Sequence, residues 1–413
     1  MRRDRYPLID GLRAVAAIGV LVTHSAISSG LVSAGATGFR YAQRLEVGVT
    51  IFFVISGFVL YRPFLLVRDE LPRLGSYAWR RALRIVPAYW IALTVAALVL
   101  GRPEVWRHPL AFYGFGQIYS QHMLPGGLIQ AWTLDIEVTF YGFLPLWAWL
   151  LRRATPRQEA WALVALAVAS LAWKVAFVWS GAARQVVDTP WLHSLPAYLD
   201  QFALGMGLAM LSLRPRRVRY PVLLWGVAAV AFWLVSVRIG IGHALFEPYD
   251  RWQYMARHEL YAVVGVSLVA AAVLATPGRG VVGRVLGNPV AAWLGLVSYG
   301  IYLWHVTVLQ ALEDLGFQRS LHFHPFLVVT AVTLALTSAI SAVSWYGAER
   351  PILRAGSRPW RRPRDHAARE QHRDERERRH LPVPVHAGVD GPGGQGGGGD
   401  RGLATDARDS AAE

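Results

Sequence analysis

Residues 9 to 24 read IDGLRAVAAIGVLVTH, a stretch apolar enough to enter lipid that nevertheless carries Arg13 and His24. They are eleven positions apart, and at about 100° per residue that spacing returns to within about 20° of one helix face. A rise of about 1.5 Å per residue sets the two roughly 16 Å apart along the axis. One face of one helix therefore presents a guanidinium at one depth and an imidazole at another. Two further groups able to exchange protons lie in apolar surroundings: Glu137 in AWTLDIEVTFYGFLPL and His305 at the end of WLGLVSYGIYLWH. In SYAWRRALRIVPAYW, Arg81 and Arg84 are three apart and project from the same side of a helix. Planar guanidinium groups hold phosphate oxygens in bidentate fashion, so that pair suits a phosphorylated ligand.

Ionisable groups are costly in lipid and face a bundle interior or a water-filled cavity when they occur there. The elements that would hold them are membrane spans. With 54% hydrophobic residues and 17 Trp among 413 residues, the chain has the composition of several packed spanning helices. The expected fold is all-α and polytopic, with about ten transmembrane helices at roughly 8–27, 47–66, 85–101, 132–151, 160–179, 195–213, 220–239, 259–276, 289–311 and 326–348. Arginines collect at alternate ends of these segments, in runs such as Arg2 to Arg5, Arg80 to Arg84, Arg152 to Arg157 and Arg214 to Arg219. Short-loop cation bias then places both termini in the cytoplasm of a cell-membrane protein. On that orientation His24, Glu137 and His305 share an outer layer, and Arg13, Arg81 and Arg84 lie toward the inside.

The same distribution accounts for most of the +15 net charge, so nucleic acid is not an expected partner and the lipid bilayer is. With no cysteine, disulfides, thiolate metal sites and a cysteine acyl-enzyme are excluded. His24, His193 and His305 form no recognisable ligand motif, so no metal is expected. Asp10 and Arg13 interrupt the first apolar run, which argues against a cleavable signal peptide. Residues 1–352 form the expected membrane domain. From there to residue 413 the composition turns to Arg, Glu, Asp and His and then GPGGQGGGG, which implies a disordered cytoplasmic tail.

The stretches IDGLRAVAAIGVLVTH, VGVTIFFVISGFVL, RRALRIVPAYW, WTLDIEVTFYGFLP and LGLVSYGIYLWH, in this order, resemble the acyltransferase 3 family of integral-membrane O-acyltransferases over about residues 6 to 352. The resemblance implies transfer of an acyl group, often acetyl, from acyl-CoA as co-substrate to a hydroxyl of a carbohydrate or a glycosylated small molecule. No permanently bound cofactor is implied. The family associates activity with the helix-one Arg and His, here Arg13 and His24, and with the paired arginines, here Arg81 and Arg84. Glu137 matches its WTLDIE carboxylate, and the last stretch carries over Ser298, Tyr302 and His305. Thr50 stands where many members have an acid, and Val138 and Thr139 replace a frequent Glu-Gln.

On this reading His24 is the general base for the acceptor hydroxyl, with Glu137 orienting it. Ser298, Tyr302 or a backbone N–H donates to the oxyanion. Blander readings stand beside these. Arg13 either lines the donor's path or pairs with Asp10, and Glu137 caps or pairs at a helix end. Arg81 and Arg84 serve only orientation, His305 anchors at the interface beside Trp304, and Ser56 in ISGF packs helices. The competing function is a proton-coupled transporter or flippase of an envelope solute, which would act without consuming acyl-CoA.

Overall fold

The computed structural model describes residues 6–31, 37–67, 74–123, 126–180, 189–213, 218, 221–239, 250–274, 280–321 and 324–356. Among these there is no β-strand. The helices are α1 (Pro7–Ser28), α2 (Thr37–Arg44), α3 (Gly48–Leu66), α4 (Leu74–Val99), α5 (Pro103–Arg107), α6 (Pro109–Tyr113), α7 (Trp132–Leu150) and α8 (Pro156–Trp179). They continue with α9 (Leu199–Ser212), α10 (Pro221–Val237), α11 (Arg251–Leu274), α12 (Gly280–Leu286), α13 (Pro289–Asp314), α14 (Pro325–Ser344) and α15 (Arg350–Gly356). A π-helical turn, Trp345–Glu349, joins the last two.

Local signals explain several starts. Thr155 accepts from the Gln158 N–H while the Gln158 side chain accepts from Thr155 N, a reciprocal cap for α8 with Pro156 at its first position. Asn288 accepts from Ala291 N ahead of Pro289 and opens α13 in the same way.

Each of the ten expected segments falls on a helix, and seven helical runs are long and apolar enough to cross a membrane. The remaining three are α7, α9 and α10. Helix α9 has only 14 residues, about 21 Å at the helical rise, against a hydrocarbon core of about 30 Å. Helix α10 has 17 residues, and α7, though 19 long, is diluted by Asp135 and Glu137. The side-chain distribution is the reverse of a water-soluble bundle. Helix α8 turns Trp161, Val164, Val168, Leu171 and Val175 outward while burying Glu159, Ser170 and Lys174. Exposed apolar surface around buried charge is what a lipid solvent selects, and the chain is a multi-pass membrane protein. The expected tail, beyond Gly356, lies outside the described residues; residues 353–356 still belong to α15.

The seam that positions the site joins α1 to α13. Gly295 backs onto the Asp10 carbonyl, Arg13 reaches Ser298 and His24 reaches His305, so the two helices run parallel. A Cβ on Gly295 would fall on the Asp10 carbonyl oxygen, so only glycine permits this approach. Gly57 of α3 and Gly205 of α9 let a second pair of backbones meet in the same manner. Helix α7 is pinned beside the seam by Thr133, whose hydroxyl bonds the Tyr302 hydroxyl at 2.8 Å, and by Gln130 just ahead of it, whose amide donates to Leu303 O at 2.6 Å.

Gly295→Val should cost about 1–3 kcal/mol and lower the thermal unfolding midpoint in detergent, because the clash is with backbone. Gly142→Ala on α7, where a Cβ meets open space, should leave the midpoint unchanged or raise it slightly.

Candidate active site

The expected site residues divide into two groups along the α1–α13 seam. One lies at the arginine end. Arg13 Nε donates to Ser298 Oγ at 3.4 Å, and Ser298 in turn donates to Gly295 O at 2.8 Å. Arg13 is within electrostatic reach of Glu137, Asp10 and Tyr141, with Arg84 opposing it. Asp10 is exposed and makes no ion pair with Arg13, so the alternative of a local Asp10–Arg13 pair gives way to the contact with α13. Glu137 Oε1 accepts from Ser56 Oγ at 2.7 Å and from Tyr141 OH at 3.0 Å. Ser56, expected only to pack helices, thus also holds the carboxylate. Arg81 lies over the Tyr77 and Tyr141 rings and Arg84 over Trp345 of the π-turn, where Glu349 supplies a nearby negative charge. Among the described residues neither Arg81 nor Arg84 makes a hydrogen bond or ion pair, and Arg81 Nε is buried without an acceptor. Three guanidinium groups thus gather at this end with Glu137, Asp10 and Glu349 among them, and Arg81 and Arg84, which make no hydrogen bond or ion pair among the described residues, have donors to offer an anion.

The other group lies at the opposite end of the seam. His24 and His305 meet edge to face, with ring centroids 5.0 Å apart and His305 Nε2 at 3.3 Å from His24 Nδ1. Their tautomers follow from the acceptors around them. His305 Nδ1 faces Tyr302 O at 2.7 Å and must donate to it, which leaves Nε2 as a lone pair. His24 Nδ1 faces both that lone pair and Val20 O at 2.9 Å, so it too carries its proton. With both rings neutral, the unprotonated nitrogen of His24 is Nε2, on a half-buried ring, while His305 is fully buried.

Two expectations need correction here. Glu137 does not orient His24: its hydrogen bonds go to Ser56 and Tyr141 and its charge is shared with Arg13, because it lies one helical turn into α7, level with the arginines. The partner of His24 is His305, which is no interfacial anchor. The two hydroxyls considered as oxyanion donors already have acceptors. Ser298 donates to Gly295 O, and Tyr302 donates to Gln130 O at 3.1 Å beside Thr133.

Sequence reasoning missed a second ionic cluster. Lys174, the chain's single lysine, is fully buried, with Nζ 2.7 Å from both Asp200 Oδ2 and Glu259 Oε1. Ser170 donates to Asp200 Oδ1 at 3.2 Å, and His258 Nε2 lies 3.6 Å from Asp200 Oδ2. Asp200, His258 and Glu259 bring ligand atoms within 4.8 Å of one another, a grouping the histidine spacing did not foretell, but the Lys174 ammonium already supplies the cation. Glu46, bonded by Arg257 at 2.9 Å and Tyr261 at 3.0 Å, lies within electrostatic reach of His24 and, together with Asp200, of Tyr198. The signal was available, since Lys174, Asp200 and Glu259 all fall within apolar segments. Thr50, where many members of the resembled family have an acid, packs against Gly265, and Glu46 provides an acid one turn earlier.

Comparison with known proteins places this arrangement in a class. Residues 6–345 match the acyltransferase domain that defines the acyltransferase 3 family, and the chain belongs to that family, whose reaction is acyl transfer. It is 28% identical to BcsY of Komagataeibacter xylinus, named provisionally as a membrane-bound transacylase, over 85% of this chain and 83% of BcsY. It is 24% identical to the peptidoglycan O-acetyltransferase OatA of Listeria monocytogenes over 86% of this chain and 57% of OatA. A Staphylococcus aureus protein provisionally named an O-acetyltransferase gives 24% over 86% and 58%. The matched region thus spans little more than half the length of the latter two. No solved structure is a significant match.

Lys174→Met should destabilise the solubilised protein by about 3–5 kcal/mol, because Asp200 is left as a buried unpaired charge. Arg81→Ala, which breaks no ion pair, should change stability by less than about 1 kcal/mol. Thermal unfolding of the two purified variants compares them directly.

Proposed function

We propose that the protein transfers an acyl group, acetyl in the first instance, from acyl-CoA to a hydroxyl of a carbohydrate or glycosylated small molecule, with His24 Nε2 as the general base. The observation that carries this reading is the histidine pair: a half-buried imidazole whose Nδ1 proton is held by Val20 O and His305, leaving its Nε2 lone pair for a substrate proton. As the acceptor oxygen attacks the thioester carbonyl carbon, its proton passes to Nε2 of His24. The imidazolium formed is stabilised by sharing its Nδ1 proton with His305. When the tetrahedral intermediate collapses, the C–S bond breaks, and the Nε2 proton goes to the departing sulfur to give free CoA.

Arg81 and Arg84 hold the phosphates of the donor, which answers the buried Arg81 Nε that lacks an acceptor. Arg13 lies between them and the histidines and lines the path of the slender pantetheine arm. Ser298 and Tyr302 act as positioning residues: the first holds Arg13, and the second ties α13 to the start of α7. In this arrangement the arginine end faces the cytoplasm of the cell membrane, and the acceptor reaches His24 from the opposite end. The glycan acceptor is supported by OatA, whose name specifies peptidoglycan.

Membranes containing the native chain, given labelled acetyl-CoA and a host glycan extract, should form ester-linked label and free CoA in equal amounts. His24→Ala should lower that rate by about 10²–10⁴-fold. His305→Gln, whose amide oxygen can still accept the Nδ1 proton, should retain more activity than His305→Leu. Transport of solute without consumption of acetyl-CoA would replace the reading with a carrier.

A further inference from the structure

Beyond the histidine pair, the same end of the bundle holds the charged cluster of α8, α9 and α11. We infer that Glu259, Gln201 and Trp132, organised by the Lys174–Asp200 ion pair, form the subsite that binds an uncharged, hydroxyl-rich sugar ring of the acceptor. The inference rests on the acyl-transfer reading and deepens it by saying which residues select the acceptor.

Charge is the first argument. Pinning helices in a membrane needs one carboxylate for one ammonium, and Asp200, almost fully buried, already meets Lys174. Glu259 is a second carboxylate on the same ammonium, and its side chain is 44% exposed, so part of it faces outward from the cluster. A group kept at this cost, beyond what helix pairing requires, marks a functional position.

A second, independent observation lies beside it. Gln201 is 1% exposed, and one atom of its amide contacts His258 Nε2 at 3.0 Å, yet the other amide atom is buried with no hydrogen-bond partner. An amide left in that state costs about 1–3 kcal/mol until something pairs with it. Glu259 thus offers acceptor oxygens and Gln201 one unpaired amide atom, and vicinal hydroxyls, which both donate and accept, match the two.

Trp132 supplies the apolar surface a sugar ring needs. It is half-buried, its ring edge-on to His193 at 5.2 Å and tilted against Tyr198 at 5.6 Å, and Tyr198 contacts His258 at 5.1 Å. The next residue, Thr133, bonds Tyr302, one turn before His305. Trp132 therefore lies between the cluster and the histidine pair, where one ring of an acceptor would rest while a hydroxyl reaches His24.

Other ligand classes fit less well. An anionic sugar would meet three carboxylates, Asp200, Glu259 and Glu46, against Lys174 and Arg257. A metal ion would have to displace the Lys174 ammonium from its 2.7 Å contacts. An apolar chain would leave Glu259 without a further donor and the unpaired Gln201 amide atom without a partner.

The test titrates a soluble host glycan extract against labelled acetyl-CoA in membranes holding the native chain, Glu259→Gln or Trp132→Leu at matched abundance. Both variants should raise the half-saturating extract concentration by about tenfold or more, while half-saturating acetyl-CoA stays within about twofold. Glu259→Gln keeps a hydrogen bond to Lys174, and its unfolding midpoint, read alongside, separates loss of fold from loss of acceptor affinity. Unchanged extract dependence in both folded variants, or an equal rise for donor and acceptor, would overturn the subsite and leave the acyl-transfer reading standing. No label even with the native chain would overturn that reading, and this inference with it.

Discussion

The close approach of α1 and α13 is the constraint on which the rest depends. Gly295 lets the two backbones meet at Asp10, and from that contact the helices stay side by side through Arg13 with Ser298 and His24 with His305. Without this approach Arg13 would lose its hydrogen bond to Ser298, and His24 would keep Val20 O beside its Nδ1 proton but lose His305. One glycine contact therefore sets the partner of a charged residue and that of a base at the far end of the same helix.

Lipid as solvent explains why so few polar groups carry so much. Helix α8 gives its apolar side chains to the exterior and its one ammonium to the interior, the reverse of burial in water. Inside, the charges gather at two ends. At one, Arg81 and Arg84 make no ion pair among the described residues; at the other, Asp200, Glu259 and Glu46 face Lys174 and Arg257. The first end suits phosphates, and the second, where the imidazole pair also lies, suits hydroxyls. That polarity matches a reaction that takes an anionic donor and a polyol acceptor.

Much of this was legible in the residues themselves. All ten apolar segments are helices, and Arg13, His24 and His305 could be located from their positions within apolar runs. The placement of Glu137 could not. Spacing places a residue along its own helix but not that helix relative to its neighbours, and the depth at which α7 begins beside α1 decides whether Glu137 is level with His24 or with Arg13, about three turns away. The His24–His305 contact was hidden for a different reason, since side chains on two helices 281 residues apart meet only once the parallel packing is known. Lys174 was visible as the single lysine, but its two carboxylates come from α9 and α11, and no periodicity within one helix reports such a triad.

The central claim is that donor and acceptor enter this bundle from opposite ends and meet at His24. Sealed membrane vesicles of each orientation, loaded with glycan extract on one side and given labelled acetyl-CoA on the other, test it most directly. The account predicts label on glycan when acetyl-CoA is on the side of Arg81 and glycan on the side of His24, and loss of that label with Arg81→Ala. Equal labelling with acetyl-CoA supplied from either side would contradict it.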